Sequence, residues 1–145
     1  MKPLYTEDKI EMNTTKEKLW EALTSSAYTV KYMYGCRLEC SWNIGDPMLW
    51  IGDQDGITYV KGYLLEMDLN HKLVYSVFDS NANYPDIEEN YLQVEYKLEA
   101  TDSGVLLTVR QGDYNRVAKG AFRYQHSIKT GGFTPILKVI KILVE

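Results

Sequence analysis

The sequence is poor in the residues that build metal and nucleophilic sites. It contains two cysteines and two histidines, and these four do not form a zinc ligand set, so no metal is predicted. On a strand, Cys36 and Cys40 would lie about 13 Å apart, too far for a disulfide. No sequence neighbourhood supplies His71 or His126 with a nucleophile. The sequence therefore predicts no catalytic constellation and no cofactor.

Long apolar runs and an excess of positive charge are missing as well. No segment approaches the roughly eighteen apolar residues of a membrane span, and the N-terminal residues lack the apolar core of a signal peptide. The formal net charge is -4, which gives no electrostatic basis for binding nucleic acid or an anionic membrane. We therefore expect a cytoplasmic protein with neither nucleic-acid nor membrane partners.

Aromatic residues are what the chain has in abundance. Its 145 residues include twelve tyrosines, three tryptophans and three phenylalanines. A chain of this length buries one core. We expect residues 1–145 to form a single domain around it.

The two ends of the chain carry helical signals. Thr14 with Glu17 matches a capping box for a helix over 15–24, which follows a first strand within 4–13; a second short helix is predicted over 26–33. At the other end, the helical spacing after residue 117 is interrupted by Gly131, Gly132 and Pro135. We expect a break near 131–134, with Thr134 capping a new helix and Pro135 at its first position.

Between these helices, residues 37 to 111 alternate between apolar and polar. The alternation is clearest in YLQVEYKLE at 91–99, and short turn sequences separate the runs, so about six antiparallel strands are predicted. Parity along the last strand places Gln111 inward and Arg110 outward.

The stretch CSWNIGDPMLWIGDQDG, residues 40–56, offers either an acidic metal site or a pair of turns. Its aspartates superficially resemble the start of a calcium loop, but the glutamate at the twelfth position of such a loop is missing. The Gly-Asp pairs are therefore predicted to be turns. Trp42 and Trp50 share a parity within their strands, so we expect both rings to wall one pocket.

Five segments together resemble the START-like, or SRPBCC, superfamily: KEKLWEALT (16–24), SWNIGDPMLW (41–50), KGYLLEMDLNHKLVYS (61–76), DSGVLLTVRQ (102–111) and GGFTPILKVIKILVE (131–145). Within it, the chain is most similar to small bacterial proteins related to the C-terminal domain of the activator of the 90-kDa heat-shock-protein ATPase. The resemblance implies an α+β helix-grip fold. In that fold, a curved antiparallel sheet of six to seven strands wraps a long C-terminal helix, and two short helices follow the first strand.

The resemblance also implies a hydrophobic ligand-binding cavity between sheet and helix. Aromatic and methionine side chains suit an apolar ligand, and hydroxyl or amide groups orient it. The alternative, that these side chains only fill the core, stays open. The predicted ligand-binding residues are Met33, Trp42, Trp50, Tyr63, Tyr75, Tyr96, Gln111, His126 and Phe133.

Three functions are consistent with this sequence. The first is binding of a small apolar or aromatic molecule without catalysis. The second, implied by the family, is an interaction module that modulates a chaperone ATPase in a stress response. The third is an enzyme of cyclase or hydrolase type that uses Gln111 or His126 in the same cavity. A monomer or a homodimer is expected.

Overall fold

The computed structural model describes residues 2–145. Met1, the first residue of the predicted domain, lies outside the described residues. Residues 2–145 form seven strands, four α-helices and one 3-10 turn at Glu88–Asn90. In chain order the strands and α-helices are β1 (Thr6–Met12), α1 (Lys16–Thr24), α2 (Ser26–Tyr32), β2 (Cys36–Glu39), β3 (Pro47–Gly52), β4 (Thr58–Asp68), β5 (Lys72–Asp79), β6 (Leu92–Thr101), β7 (Gly104–Gly112), α3 (Gly120–Lys129) and α4 (Thr134–Val144).

All seven strands belong to one antiparallel sheet with the order β1-β7-β6-β5-β4-β3-β2. Strands β2 to β7 thus lie side by side in chain order, and β1 forms the edge next to β7, with which it pairs. The clear alternation in β6 sets its register, in which Tyr96 lies opposite Val109 of β7 and Leu73 of β5. The predicted antiparallel meander is confirmed, and the sheet and helices have the expected α+β helix-grip arrangement.

The core lies between the inner face of this sheet and the helices. Helix α4 buries Ile136, Leu137 and Ile140 at helical spacing and leaves Lys138 and Ile142 exposed. This amphipathic pattern explains why α4 packs on the sheet by one face. The predicted break in the C-terminal region is confirmed, because residues 130–133 separate α3 from α4.

A carboxylate from the opposite end of the chain caps the start of α4. The N–H group of Phe133 donates to Oδ2 of Asp8 over 3.0 Å, and the Thr134 hydroxyl donates to Oδ1 over 3.3 Å. Gly132 has φ +58, and a Cβ there would lie 2.7 Å from Asp8 Oδ2, so a glycine leaves room for the carboxylate. The prediction that Thr134 is the cap was wrong: Thr134 is the first helical residue, and Asp8 supplies the capping oxygens.

Helix α1 also begins one residue later than its sequence pattern predicts. Thr15, rather than Thr14, is the N-cap, and its hydroxyl accepts a hydrogen bond from the Lys18 N–H group. Trp20 and Leu19 on this helix are buried as expected. The capping-box pattern therefore located the helix correctly but assigned the cap to the wrong threonine.

The first Gly-Asp pair forms a turn, as predicted. Gly45 has φ +91, and Asp46 Oδ2 accepts hydrogen bonds from the Asn43 N–H group and the Ser41 hydroxyl. The strand before this turn is shorter than expected, because β2 ends at Glu39. Trp42 therefore lies in the loop with φ +63, and the prediction that it shares a strand face with its neighbours was wrong.

The second Gly-Asp pair also forms a turn, which closes the hairpin between β3 and β4. The Gly56 N–H group donates to the carbonyl oxygen of Gly52, and the Gly52 N–H group donates to that of Ile57, each over 2.8 Å. Both aspartate-containing segments are thus turns in the structure. Among residues 2–145, no helix combines the length and the apolar character that crossing a membrane requires.

Candidate functional site

A row of aromatic rings crosses the inner face of the sheet. The ring centroids of Trp50 and Tyr75 lie 5.2 Å apart, those of Tyr75 and Tyr96 lie 6.1 Å apart, and those of Tyr96 and Phe133 lie 6.3 Å apart. The strand register explains the row, since these residues occupy inward positions on β3, β5 and β6 and Phe133 precedes α4. The structure therefore brings four of the predicted ligand-binding residues together.

These rings leave little space between the sheet and the helices. The gap beside them has a volume of about 10 Å³, roughly the space of one water molecule. Met33, a fifth predicted residue, lines it together with Trp50, Tyr75 and Tyr96; Leu23, Tyr32 and Leu38 complete the lining. The predicted inner cavity is thus almost filled by the side chains that were expected to line it.

The tyrosine hydroxyls in this region are neutral at physiological pH. Burial raises the pKa of Tyr32 and Tyr75 well above the ordinary value and raises that of Tyr96 to about 12. The Tyr32 hydroxyl donates a hydrogen bond to the carbonyl oxygen of Ala22 over 2.8 Å, which joins α2 to α1. The interior therefore offers hydrogen-bonding groups but no charge from these tyrosines.

A larger, open cleft adjoins this filled interior. Its volume is about 700 Å³, and it lies between the end of α2 and the hairpin that joins β3 to β4. Met33 and Trp50 line both the cleft and the inner gap, so these two side chains form a wall common to both spaces. We call this space the Trp50 cleft. It is lined by Val30, Met33, Tyr34, Gly35, Cys36, Trp50, Gly52, Asp53, Gln54, Asp55, Tyr59 and Val60.

A backbone hydrogen bond joins the two walls of the Trp50 cleft. The Asp53 N–H group donates to the carbonyl oxygen of Gly35 over 2.9 Å, which joins the hairpin to the segment after α2. Gly35 has φ +80, and the neighbouring Tyr34 has φ +55 with its side chain 84% exposed at the rim. Trp50, only 3% exposed, forms the apolar floor.

Several lining residues were not predicted. Asp53 and Asp55 were interpreted only as turn residues, whereas they both form the turn and line the cleft. The turn sequence itself was the available signal, because a tight hairpin places its side chains at one end of the sheet. No sequence signal marked Val30 or Cys36, since their position depends on how α2 packs against β2.

Four predicted ligand-binding residues lie outside both the Trp50 cleft and the inner aromatic row. Trp42 is half-buried in its loop, and Gln111 donates from Nε2 to the hydroxyl of Tyr114 over 2.7 Å. The expectation that His126 and Tyr63 face the inner space was wrong. His126 is exposed on α3 and stacks on Phe122, whereas Tyr63 lies between two inward residues of β4 and therefore points to the outer face.

The outer face of the sheet carries a second depression, of about 570 Å³. Tyr63 and Leu65 of β4 line it, and the ring centroid of Tyr63 lies 6.0 Å from that of Tyr91. Ile44, beside the lining residue Gly45, is 62% exposed. We call Ile44, Tyr63 and Leu65 the outer apolar patch. Within residues 2–145, no three or more His, Cys, Asp or Glu side chains are placed to hold a metal ion.

Solved structures from several organisms share this fold over nearly the whole chain. A Cytophaga hutchinsonii protein with a known solution structure is 30% identical, with 95% of this chain and 97% of that chain covered and a TM-score of 0.69. The Aha1 dimer from Colwellia psychrerythraea is 14% identical, with 98% and 96% coverage and a TM-score of 0.73. An HSP90 activator from Plasmodium falciparum is 18% identical, with 97% and 95% coverage and a TM-score of 0.69.

Among proteins of curated function, none matches the sequence closely enough to count as a relative. A family model does match, and it extends from residue 13 to residue 145, from the end of β1 through α4. The family is described as Activator of Hsp90 ATPase homolog 1-like protein. The match agrees with the resemblance carried by the sequence segments and with the helix-grip fold. The chain therefore belongs to the Activator of Hsp90 ATPase homolog 1-like protein family.

Proposed function

We propose that the protein binds a small apolar or aromatic molecule in the Trp50 cleft. The observation that carries the proposal is the cleft itself, whose volume of about 700 Å³ lies in the range of small-molecule pockets. Met33, Trp50 and Val60 give the cleft an apolar side, against which the apolar part of a ligand packs. Because the inner gap between the sheet and α4 is almost filled, we place the proposed site in the open cleft between α2 and the β3–β4 hairpin instead.

The lining supports binding more than catalysis. Gln111 and His126, on which an enzymatic function was predicted to depend, do not line the Trp50 cleft. The Cys36 thiol does line it, but burial and the negative charge of Asp55 raise its pKa, and a protonated thiol is a weak nucleophile. We therefore assign the cleft a binding role.

The proposal is tested with the neutral fluorescent probe N-phenyl-1-naphthylamine. Tyr34→Ala removes a rim side chain that is 84% exposed, so the fold should be unaffected. Loss of one aromatic contact should weaken probe binding about fivefold. Trp50→Ala removes the floor and should abolish binding. Because Trp50 is buried, its variant is first checked for a cooperative unfolding transition.

The matched control is Tyr63→Ala, which removes a tyrosine from the outer face of the same sheet. We expect unchanged probe affinity in this variant. The proposal fails if the wild-type protein does not bind the probe, or if Tyr63→Ala weakens binding as much as Tyr34→Ala does. If the probe does bind in the cleft, native mass spectrometry of protein purified from its own source would identify the natural ligand.

A second candidate function, modulation of a chaperone ATPase, is favoured by the outer apolar patch. Tyr63 and Leu65 are exposed on β4 and line a depression, and Ile44 is exposed in the turn beside it, a pattern typical of protein interaction sites. One relative of the same fold is named as an HSP90 activator. The patch would give a chaperone domain an apolar surface on the face of the sheet opposite the core.

Leu65→Glu places a charge in the patch without changing a buried position. If the patch contacts a chaperone, this variant should lose stimulation of HSP90 ATPase turnover, while Phe122→Glu on α3 should retain it. Both wild-type residues are exposed, so the two variants are comparable. Wild-type protein that leaves the turnover unchanged would remove this candidate.

Oligomeric state and location stay predictions. One solved relative is described as a dimer, and we propose a monomer or homodimer in the cytoplasm for this chain. Light scattering of the purified protein, repeated over a tenfold concentration range, distinguishes the two states.

A further inference from the structure

The Trp50 cleft carries charge of only one sign. Twelve of the described residues line it, and these include Asp53 and Asp55 but no lysine, arginine or histidine. The floor is apolar, so a bound molecule would place one end on Trp50 and the other beside the carboxylates. The arrangement of these two aspartates determines what that second end can be.

Asp55 is held in place over the end of β3. Its carboxylate accepts hydrogen bonds from the Tyr59 hydroxyl and, over 3.0 Å, from the Ile57 N–H group, and these bonds, the first above all, hold its pKa below the ordinary value. A Cβ on Gly52 would lie 2.1 Å from Oδ1 of Asp55. Glycine at position 52 therefore leaves the space that the carboxylate occupies.

Asp53 is only partly neutralised by its neighbour. Nη1 of Arg37 lies 3.6 Å from Oδ1 of Asp53, but Nε of the same guanidinium lies 3.3 Å from Glu39. One positive charge is thus shared between two carboxylates. Because Arg37 does not line the cleft, it offers no anchor for an anionic ligand there.

The charge of Asp55 also acts on the wall of the cleft. It adds to burial in raising the pKa of the Cys36 thiol, which means that a negative charge at that position is disfavoured. A ligand carboxylate beside the same wall would experience the same repulsion. A ligand ammonium group would instead be attracted to Asp55 and to the faces of nearby tyrosine rings.

We propose that the Trp50 cleft selects its ligand by charge and takes an aromatic or apolar ring that bears an ammonium group, while excluding the corresponding carboxylate. The inference rests on the proposed function, since it names the ligand class of that same site. It excludes fatty acids and other anionic lipids as occupants.

Three indole probes test the inference, because they share one ring and differ in charge: indole, tryptamine and indole-3-propionate. Each is titrated into ¹⁵N-labelled protein at neutral pH and low salt, and shifts of the amides in residues 52–57 report binding in the cleft. We expect tryptamine to bind about tenfold more tightly than indole-3-propionate, with indole between them. High salt should narrow the difference.

Asp55→Asn keeps the shape and one of the two acceptor oxygens while removing the charge, and it should reduce the tenfold preference to about threefold. Asp102→Asn, in the turn between β6 and β7, removes an exposed charge that does not line the cleft and should leave the preference unchanged.

The three possible failures are distinguishable. Equal or tighter binding of indole-3-propionate with shifts in residues 52–57 overturns the charge selection and keeps the cleft as a binding site. An unchanged preference in Asp55→Asn overturns the role of Asp55. If none of the probes shifts these amides, the proposed function fails, and the charge selection fails with it.

Discussion

Replacing Asp8 should destabilise the fold through the start of α4. In Asp8→Ala the N–H group of Phe133 and the hydroxyl of Thr134 lose their acceptor. Loss of a capping oxygen costs about 1 kcal/mol, and loss of a negative charge at a helix N-terminus costs about 0.3 to 1 kcal/mol. We therefore expect the free energy of unfolding to fall by about 1 to 2 kcal/mol. Asp8→Asn keeps an acceptor and should cost about half as much.

Urea unfolding followed by tryptophan fluorescence measures this change as a lower midpoint at an unchanged slope. For a domain of this size, Tm should fall by about 2 to 8 °C. Glu7→Ala is the control, since Glu7 makes an exposed ion pair with Lys9 at 3.7 Å and its loss should cost less than about 0.5 kcal/mol. If Asp8→Ala costs no more than Glu7→Ala, the carboxylate does not hold α4, and the capping argument is refuted.

Two further predictions concern the sheet and its buried tyrosines. A Cβ at Gly62 would lie 1.6 Å from the carbonyl oxygen of Ser76, so Gly62→Ala should lower the free energy of unfolding in urea by about 3 kcal/mol or more. The control Gly56→Ala should cost about 1 kcal/mol, because the space there is open but φ is +69. Equal losses in the two variants would contradict the clash at Gly62. Burial raises the pKa of Tyr75, and that of Tyr96 to about 12, above the unfolded value of about 10. The folded protein therefore keeps protons that the unfolded chain releases. The resulting stability is complete below about pH 10 and is lost as the pH rises through about 12. Tyrosinate absorbance and unfolding curves across this range measure the loss, and a constant stability would contradict it.

Much of the fold could be predicted because its signals are local. The alternation around Tyr96 is unbroken from Leu92 to Leu98 of β6, and the four inward positions in this stretch are buried in the structure. Gly131 and Gly132 mark the break before α4 by their conformational freedom alone. Thr14 and Thr15 are both suitable N-cap residues for α1. The sequence pattern therefore predicts that a helix starts here, but not which threonine caps it.

The candidate site was harder to predict because it depends on contacts between distant segments. Composition identified the aromatic residues of the inner row, but it does not show whether rings fill a space or surround one. The direction of Tyr63 follows from the parity of β4, whose two faces both carry apolar residues, so hydrophobicity did not identify the inner face. The Trp50 cleft forms only where α2 meets the hairpin after β3, and no local pattern encodes that junction.

The pairing of β1 with β7 and the bond from Asp8 to α4 impose an order on folding. Asp8 and Phe133 are 125 residues apart in sequence, so closing this contact early would carry a large loop entropy. During synthesis β1 has no partner until β7, which spans Gly104–Gly112, has left the ribosome. Until then the free edge of the growing sheet and its uncovered apolar face are open to pairing with other chains. Strand β7 thus completes the pairing of β1, and slow synthesis near residue 110 would prolong the period in which aggregation competes with folding.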